Sequence, residues 1–393
     1  MSMRPDQNPR DTLRRLLDAG LEAVAPARAL PPHLPPRPAS GRVLVLGAGK
    51  ASAYMAKALE DAWAPGENDL PIEGLVAVPP GYEADTRWIE VTNGAHPTPD
   101  HSSRIAAERA LAAAEQLGEG DLLIGLISGG GSAVWCAPTE GVSLAEKQQM
   151  TRRLLANGAP ISEINAARAR VSRIKGGGLA RAAWPARTLA FAISDVPHDD
   201  PALIASGPCA PAAGTEKSDR AETVLIARAG DALQAAEKAA QEAGLKVVVL
   251  GEHVEGDARD VAREHAALAL RHRNAGDGPM VLLSGGELTV TVTGEGRGGP
   301  NSEYALALAL ALEGAEGIWA LSADTDGWDG NSQVAGAMIG PDTLERAQTL
   351  GRSAQAALAA NDAAGLFADL GDLVDTGLTG TNVSDFRAIL IAG

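Results

Sequence analysis

Short apolar runs alternate along the chain with longer stretches in which apolar residues recur at helical spacing. The apolar runs predict β-strands at 43–46, 75–78, 122–127, 188–193, 246–250, 280–283, 288–292, 318–321 and 387–391. The helical stretches predict helices at 11–24, 51–63, 102–117, 144–157, 231–243, 257–272 and 301–312. Strands that alternate with helices are typical of α/β proteins, so the pattern predicts a parallel or mixed sheet with helices on both faces.

Three segments interrupt this alternation. The proline-rich segment 26–42 predicts an extended connector, and the runs at 280–284 and 288–292 are too close for a crossover helix, so they predict a hairpin or a bent strand. A change of composition at 208–220 marks the expected domain boundary. We therefore expect an α/β fold with two domains: an N-terminal Rossmann-like sheet in 1–220 and a smaller C-terminal α/β domain with a mixed sheet in 221–393.

The charge balance limits the classes of partner. The chain has 34 basic and 50 acidic side chains and a formal net charge of −16, without a basic block that would neutralise nucleic-acid phosphates. An acidic protein can still bind a small anion through a local group of backbone amides and a few cations. The 45 glycines fit that requirement, and the 3% aromatic content indicates a core of Ala, Leu, Val and Ile.

Two cysteines give neither a disulfide framework nor a metal cluster, which indicates a reducing compartment. The first residues are charged and lack the apolar region of a signal peptide, and no apolar stretch is long enough to span a membrane. We therefore expect a soluble cytoplasmic protein that binds no nucleic acid and no membrane.

Five predicted strands run directly into small, polar loops that contain glycine or aspartate. These segments are VLVLGAGKAS (43–52), LLIGLISGGGS (122–132), TLAFAISDVPHDD (188–200), MVLLSGGE (280–287) and IWALSADTDGWDG (318–330). In open α/β sheets, ligands bind outside the carboxyl ends of the strands. Any one of these loops is compatible with an ordinary turn, but five together predict a binding site at that edge.

The first loop contains Gly47, Gly49 and Lys50. Its small residues allow backbone amides to approach a phosphate, the following helix offers its N-terminus, and Lys50 adds a mobile charge. The dinucleotide fingerprint is incomplete, because the pattern is G-x-G-x-x-S and no acidic residue closes the next strand. The P-loop pattern fails as well, because Ala51 follows the lysine where Ser or Thr is required.

Two further loops carry candidate ligands for a phosphate or a metal ion. Ser128, Gly129, Gly130, Gly131 and Ser132 predict a second group of amides with hydroxyls beside it, or a tight turn. Asp195 follows a strand and is suited to hold Mg²⁺ or to accept a hydroxyl proton, whereas Asp199 and Asp200 also fit an N-cap pair.

A basic cluster occupies the predicted helix 164–180, where Arg168, Ser172 and Lys175 are spaced to share one face. It predicts a clamp for carboxylate or phosphate, or a solvated surface. Arg297 lies among glycines in 294–299, which suits an arginine that moves toward a transferring phosphoryl group, or a surface arginine in a loop. The aspartates of 324–329 resemble a cation loop but equally fit a polar turn.

Taken together, these segments resemble one family, the class II glycerate 2-kinases. The motifs that carry the resemblance occur in order over almost the whole chain: VLGAGKAS, LISGGGSA, EINAARARVSRIKGGGLA, ISDVPHDDPALIASGP, LLSGGELTVTVTGEGRGGPNSEYALALAL, ADTDGWDG and TGLTGTNVSD. The resemblance implies an N-terminal α/β domain and a C-terminal MOFRL domain, with the active site in the cleft between them. It also implies that ATP phosphorylates D-glycerate at the 2-hydroxyl group with the help of Mg²⁺ or another divalent cation.

The resemblance assigns residues to that reaction. Lys50 matches the family's catalytic lysine, and the matching positions around the cleft are Ser128 to Ser132, Asp195, Glu287, Asn301 and Asp326. The family often has a second, catalytic arginine where this chain has Pro300, while Arg297 is retained. His198 and Arg170 also depart from the usual pattern, which has glycine and histidine at these positions.

We expect Lys50 and Arg297 to neutralise the transferring phosphoryl group, with Asp195 or Asp326 holding the metal ion. Two other classes of function remain open. One is a hydroxypyruvate reductase that uses NAD(P)H, a name that members of this family have carried, and the other is a sensor that binds a sugar acid or a nucleotide without turnover. Either a monomer or a homodimer is compatible with the sequence.

Overall fold

The structure is a computed structural model that describes residues 8–63, 72–156, 167, 169–210 and 220–392. Contacts between Cα atoms divide the chain into two compact units. The first unit contains residues 25–228 and 380–382, and the second contains residues 1–24, 229–379 and 383–393. Each unit is built around its own six-stranded sheet.

The sheet of the first unit is parallel throughout. Its strands are β1 (Val43–Ala48), β2 (Ile72–Val78), β3 (Ile89–Asn93), β4 (Leu122–Ile127), β5 (Arg187–Ile193) and β6 (Ala221–Ala227). They lie in the order β3-β2-β1-β4-β5-β6, and each pairing is parallel. Because the direction of winding reverses between β1 and β4, the loops after these two strands lie at the topological switch point of the sheet.

The helices are numbered in chain order, and α1 (Pro9–Val24) belongs to the second unit. The helices of the first unit are α2 (Pro26–Ala29), α3 (Ser52–Ala62), α4 (His101–Ala114), α5 (Gly131–Val134), α6 (Leu144–Ala156) and α7 (Gly178–Ala183). Helix α4 begins where Asp100 accepts hydrogen bonds from the N–H groups of Ser102 and Ser103, and the Ser103 hydroxyl completes a capping box. Its alanine-rich face packs into a core of Leu, Ile and Ala from the sheet.

The sheet of the second unit is mixed. Its strands are β7 (Lys246–Gly251), β9 (Met280–Gly286), β11 (Ile318–Asp324), β12 (Gly336–Ile339), β13 (Leu373–Val374) and β14 (Asp385–Ile391), while β8 (Gly256–Asp257) and β10 (Leu288–Thr289) pair separately. The order is β13-β12-β11-β14-β9-β7, and the pairing of β7 with β9 is the parallel one among otherwise antiparallel neighbours. The helices are α8 (Ala229–Glu242), α9 (Ala258–Ala275), α10 (Pro300–Leu312), α11 (Thr343–Thr349), α12 (Ala354–Ala359) and α13 (Ala363–Leu370).

The structure confirms the predicted α/β class, with one parallel and one mixed sheet. The contact-based units differ from the predicted domains in three places. Residues 380–382 belong to the first unit although they lie far beyond residue 220. Strand β6 pairs with β5 and so extends the first sheet beyond residue 220. Helix α1 packs with the second unit, because Leu13, Leu16 and Leu17 share a core cluster with residues of α8 and β14.

Of the two alternatives predicted for 280–292, the structure has the bent strand and not the hairpin: Gly286 has φ +98°, the chain bends there, and β10 pairs with β8. Two other local predictions were wrong. The predicted helix 164–180 is interrupted, because Ser172 forms an isolated bridge with Pro138 and α7 begins only at Gly178. The proline-rich connector contains α2 and a short 3₁₀ turn at Pro31–His33 rather than being extended throughout. No helix within the described ranges is both long enough and apolar enough to cross a membrane.

Candidate active site

The loops that follow β1 and β4 are bonded directly to each other. The Lys50 N–H donates to the Gly129 carbonyl oxygen at 2.8 Å, and the Ala51 N–H donates to the Ser128 hydroxyl oxygen at 3.0 Å. In return, the Ser128 N–H donates to the carbonyl oxygen of Ala48 at 3.1 Å. The two predicted loops therefore form one continuous structure at the switch point of the sheet.

This contact explains the glycines of the first loop. Gly49 has φ +132°, and a Cβ atom there would lie 2.3 Å from the Ser128 hydroxyl oxygen. Gly47 lies inside β1, where a Cβ atom would lie 2.6 Å from the carbonyl oxygen of Leu126, so its small size serves strand packing. Since the Lys50 and Ala51 amides already donate to the second loop, the first loop is not the open group of amides that its sequence predicted.

The open amides are in the second loop. No hydrogen bond within the described residues uses the N–H groups of Gly129 or Gly130. The Asp195 carboxylate lies directly against Gly129, because a Cβ atom on that glycine would be 1.9 Å from Asp195 Oδ2. Asn382 donates to the same oxygen at 3.4 Å. A carboxylate beside two open amides suits a site that handles both a negative group and a hydroxyl or a metal ion.

Lys50 and His96 approach the loop at Gly130. A Cβ atom on Gly130 would lie 3.3 Å from His96 Cδ2 and 3.4 Å from Lys50 Cγ. The Lys50 ammonium also lies 5.9 Å from the centre of the Tyr82 ring, and the lysine is half-buried. Sequence reasoning missed His96, Tyr82 and Asn382, since each lies in a different segment with no local spacing signal.

Lys175 is the second cation at these loops. It is 2% exposed, and its ammonium group donates to the Ser132 carbonyl oxygen at 2.7 Å and also to the Ser132 hydroxyl. The Ser132 and Ser206 hydroxyl oxygens are 2.7 Å apart. The prediction that a helical face presents Lys175 was wrong, but the residue does reach a predicted binding loop. Arg168 lies outside the described residues.

The loop after β5 contains several non-glycine residues in the left-handed region. His198, Asp199, Ala205 and Ser206 have φ values of 62°, 54°, 51° and 63°. Such conformations cost free energy and cluster at functional sites. The Asp199 carboxylate pairs with Arg228 at 3.6 Å, and the Asp200 carboxylate accepts from the Ala202 N–H, so these two acids hold the loop.

In the second unit, Asn301 is part of the protein interior. It is 1% exposed, its side-chain amide donates to Asp385 at 2.7 Å, and its side-chain oxygen accepts from the Ser322 hydroxyl at 2.6 Å. Asp385 also pairs with Arg387 at 3.0 Å, and Arg387 donates to the carbonyl oxygens of Gly285 and Gly286 at 2.8 and 2.9 Å. Burial raises the pKa of Asp385, which the Arg387 charge opposes. These contacts make Asn301 a structural residue in this structure. The predicted ligand Glu287, which follows Gly286, is exposed.

Asp329 holds the start of α10. Its carboxylate accepts from the N–H of Asn301 at 2.8 Å, from the N–H of Ser302 at 2.9 Å and from the Ser302 hydroxyl at 2.6 Å. The group is completely buried, and burial raises its pKa to about 6, although these three hydrogen bonds oppose the shift. Asp329 is therefore a helix cap rather than a metal ligand.

Asp326 was the second predicted metal ligand. It is completely buried, and its Oδ1 accepts from the Trp328 N–H at 2.8 Å, while the Asp324 carboxylate accepts from the Asp326 N–H. This is the polar-turn alternative of the sequence prediction. Among the described residues, no group of three or more His, Cys, Asp and Glu side chains is placed to hold a metal ion.

Arg297 is exposed, but its backbone is fixed. Its N–H donates to Asp362 at 3.2 Å, and its carbonyl oxygen accepts from the Ala364 N–H at 3.0 Å. The neighbouring Gly298 N–H donates to Asn331 at 2.8 Å. The segment is therefore not the loose glycine bed that its composition suggested. Pro300 is the first residue of α10, a position that favours proline because its N–H would have no partner within the helix.

The described residues thus bring together Lys50, the segment 128–132, Asp195 and Lys175 at the switch point of the first sheet. Asn301, Asp326, Glu287 and Arg297 lie in the second unit. A parallel sheet of order 3-2-1-4-5-6, with cations and open amides at the switch point, defines a ligand-binding doubly wound α/β protein.

Comparisons with known proteins narrow this class to a family. A family model described as a domain of unknown function (DUF4147) matches residues 12–243, and the MOFRL family model matches residues 280–385. A "D-glycerate 2-kinase" from Thermotoga maritima is 33% identical over 96% of this chain and 97% of its own length. A protein from Agrobacterium vitis that is provisionally named a hydroxypyruvate reductase is 44% identical over 98% of this chain and 95% of its own length.

A solved structure agrees with the sequence comparisons. The crystal structure of a glycerate kinase from Thermotoga maritima matches with a TM-score of 0.84 at 33% identity, over 97% of this chain and 99% of that one. The chain belongs to the class II glycerate 2-kinase family, whose members combine the DUF4147 and MOFRL domains.

Proposed function

We propose that the chain is a glycerate 2-kinase, which transfers the γ-phosphoryl group of ATP to the 2-hydroxyl group of D-glycerate and releases 2-phosphoglycerate and ADP. The observation that carries the proposal is the arrangement around Gly129 and Gly130. Two open amide groups have a lysine on one side and a carboxylate on the other. Phosphoryl transfer to a hydroxyl requires these elements: donors and a cation for the phosphoryl oxygens, and an acceptor for the hydroxyl proton.

The mechanism follows from the placement of these groups. The N–H groups of Gly129 and Gly130 bind phosphoryl oxygens, and the Lys50 ammonium neutralises charge that builds up on them during transfer. The Asp195 carboxylate, fixed by Asn382, orients the substrate hydroxyl and accepts its proton as the new P–O bond forms. The phosphoryl group moves directly from ATP to the substrate oxygen, without a covalent enzyme intermediate.

A divalent cation fits this site in one way. Mg²⁺ is usually held by one or two carboxylates together with substrate phosphates, so the single carboxylate of Asp195 is a suitable protein ligand. When bound, the ion neutralises phosphate charge. Asp326 fits less well, because it is completely buried and its Oδ1 accepts the Trp328 N–H.

We propose Arg297 as the second cation of the reaction. Its backbone is held by Asp362 and Ala364, while the side chain is exposed and positively charged. A guanidinium group on a fixed backbone loses less conformational freedom when it binds a phosphoryl group. Because Pro300 replaces the arginine that the family often has, Arg297→Lys should lower kcat much more than it raises the KM for D-glycerate.

The reductase alternative has two observations in its favour. One is the name of the Agrobacterium vitis relative, and the other is the strand order, which dinucleotide-binding domains share. The loop geometry favours the kinase. In dinucleotide sites the pyrophosphate is bound at the turn after the first strand, and here the Lys50 and Ala51 amides of that turn already donate to the second loop. In addition, β2 is followed by Pro79 and Pro80 instead of an acid that would bind a ribose.

The direct experiment incubates the purified chain with ATP, Mg²⁺ and D-glycerate and identifies the product by ³¹P NMR. The proposal expects 2-phosphoglycerate; 3-phosphoglycerate would overturn the assignment of the hydroxyl. A parallel assay follows NADH and NADPH oxidation with hydroxypyruvate. Oxidation of NADH or NADPH without phosphoryl transfer would overturn the kinase proposal in favour of the reductase. Tight ligand binding without either reaction would favour a sensor.

A further inference from the structure

Residues 293–298, which we call the Arg297 segment, are bound to the rest of the second unit almost residue by residue. The N–H groups that donate hydrogen bonds are those of Thr293, Gly294, Gly296, Arg297 and Gly298. All of these except the last donate to the three consecutive residues 360–362, which form the turn between α12 and α13. This turn therefore determines the path of the Arg297 segment.

Two glycines of the segment allow this close contact. A Cβ atom on Gly294 would lie 2.2 Å from the carbonyl oxygen of Ala360, and a Cβ atom on Gly296 would lie 2.5 Å from the backbone nitrogen of Asp362. Only residues without a Cβ atom allow two backbones to approach this closely. The fit holds the backbone of Arg297 in one place, while its side chain is exposed.

Asn361 is at the centre of the contact. Its side-chain oxygen accepts from the N–H groups of Thr293 at 2.8 Å and Gly294 at 2.9 Å. Its side-chain nitrogen donates to the Thr291 carbonyl oxygen at 3.3 Å and to the Glu303 carboxylate at 3.2 Å. The residue is 7% exposed and has φ +53°, a conformation that asparagine tolerates better than most residues do. One buried amide group therefore links the Arg297 segment to α10.

Glu303 fixes the orientation of that amide group. Its carboxylate is 3% exposed, and it accepts from Arg259 Nε at 2.7 Å as well as from Asn361. Because an ionised carboxylate only accepts, the amide nitrogen of Asn361 must face Glu303 and the amide oxygen must face the Arg297 segment. Arg259 also donates to the Leu358 carbonyl oxygen at 2.7 Å, which ties the network to α12.

We propose that Asn361 is the positioning residue of Arg297 in phosphoryl transfer. By binding the Thr293 and Gly294 N–H groups, it holds the Arg297 segment on the path that places the guanidinium group at the phosphoryl oxygens. Asn361 acts through the backbone and is not itself a ligand of the substrate. This inference rests on the proposed function for the role of Arg297, but not for the fixing of the segment.

The kinetic test removes the side chain and keeps the backbone conformation. Asn361→Gly does both, because glycine adopts a positive φ without strain. It should lower kcat about tenfold to a hundredfold, the usual effect of misplacing a reacting group by about 1 Å. The KM values for ATP and D-glycerate should change less than about threefold, because the transition state is affected more than the bound substrates.

A double-variant cycle separates this role from general structural damage. In an Arg297→Ala background, Asn361→Gly should lower kcat less than about twofold further, because the group that Asn361 positions is already absent. An equal loss of kcat in both backgrounds would overturn the proposal, and so would an unchanged kcat in Asn361→Gly alone.

Trypsin reports the path of the segment without any substrate. Cleavage after Arg297 gives fragments 1–297 and 298–393, which mass spectrometry identifies. A protease needs a segment that is released from its hydrogen bonds, so Asn361→Gly, which loses two of them, should be cleaved there about tenfold faster or more. Asn274→Ala, at an exposed asparagine of α9, is the control and should change neither this cleavage nor kcat.

A second pair of variants decides should Asn361→Gly fail to fold. Asn361→Asp keeps the shape of the side chain but sets a negative charge against the Glu303 carboxylate, so kcat should fall about tenfold or more. Adding Glu303→Gln provides an amide donor opposite the new carboxylate and should recover most of the lost kcat. A double variant no more active than Asn361→Asp would overturn the proposal.

A failure of the proposed function gives a different pattern. If the natural chain transfers no phosphoryl group, the kinase proposal fails, and if Arg297→Ala keeps its full kcat, the proposed role of Arg297 fails. In both cases the grip of Asn361 on the segment is judged by trypsin. Cleavage after Arg297 that is no faster in Asn361→Gly than in the natural chain overturns that grip, whatever the reaction.

Discussion

Replacing Asp329 with asparagine tests how a buried carboxyl group holds the start of α10. The group is completely buried, it accepts three hydrogen bonds from Asn301 and Ser302, and burial raises its pKa to about 6 from an ordinary value of 3.8. The folded chain therefore binds the Asp329 proton more tightly than the unfolded chain does. It follows that the stability contributed by this group is fully present below pH 3.8 and is lost as the pH rises through about 6.

The size of the effect follows from the two pKa values. Their difference of about 2.2 corresponds to about 3 kcal/mol over the whole titration. Over the accessible range between pH 5 and pH 7.5, the same linkage relation gives a loss of about 1.4 kcal/mol. Asparagine does not titrate, so Asp329→Asn should remove this part of the pH dependence. Asparagine keeps one acceptor oxygen, and the lost hydrogen bond should cost about 1 kcal/mol at any pH.

The measurement is urea unfolding of both proteins at pH 5.0, 6.0 and 7.5. The free energy of unfolding of the natural chain minus that of the variant should fall by about 1.4 kcal/mol between pH 5 and 7.5. Hydrogen exchange of the peptide that covers 300–312 reports the same change locally. Asp342→Asn, at an exposed aspartate at the start of α11, is the matched control and should give no such trend. A difference that stays constant, or that grows as the pH rises, would refute the reasoning.

Three further predictions concern the loops of the first sheet. Lys50→Ala should lower kcat by a hundredfold or more in a coupled ADP assay, the usual effect of losing a charge that stabilises a transition state. The melting temperature should change little, because the hydrogen bond to Gly129 is made by the Lys50 backbone and is kept in the variant. Gly129→Ala should lower kcat more than tenfold and lower the free energy of unfolding by about 1–3 kcal/mol, because the new Cβ atom would displace Asp195. Steady-state kinetics measure the first effect and urea unfolding measures the second. Treatment with EDTA should abolish phosphoryl transfer in the same ADP assay, because a single carboxylate holds the metal ion weakly. Added MgCl₂ should restore the activity.

The two substitutions have matched controls. Lys57→Ala removes an exposed lysine of α3 and should leave kcat unchanged. Gly120→Ala adds a methyl group at a position with nothing within 4 Å, so its stability should not fall as that of Gly129→Ala does. Near-normal turnover in Lys50→Ala would remove that lysine from the mechanism. Full activity after exhaustive chelation would show that the reaction does not require the metal ion.

Some of the strands were predictable because their pattern is local. Eight predicted strands lie within β1, β2, β4, β5, β7, β9, β11 and β14, most of them buried in runs of Val, Leu and Ile, whereas the predicted strand 288–292 matches β10 only at Leu288 and Thr289. Strands β3 and β6 were missed, since each sits at an edge of the first sheet and carries exposed polar residues between its apolar ones. Strands β12 and β13 are too short to give a periodic signal.

The site was predictable in part for the same reason. Glycine loops after buried strands pointed to Gly49 and Gly129, whose loops the structure places in contact with each other, because such a loop needs only its own few residues. The partners of those loops come from distant segments: His96 precedes the second loop by more than thirty residues, and Asn382 follows Asp195 by 187. The sequence spacing of Ser172 and Lys175 suggested a helix, but three glycines after Lys175 allow a turn that brings the lysine to Ser132.

The position of β14 has a consequence for how the chain folds during synthesis. This strand lies between β11 and β9, in the middle of the second sheet, yet it follows every other strand of that sheet along the chain and is synthesised after them. At a synthesis rate of roughly 5–20 residues per second, about half a minute passes on average between the synthesis of α1 and that of β14. During this time the apolar face of α1 lacks its full set of packing partners. A premature stop before residue 385 would therefore remove the centre of the sheet rather than its edge, and the nascent second unit is where we expect chaperones to be needed.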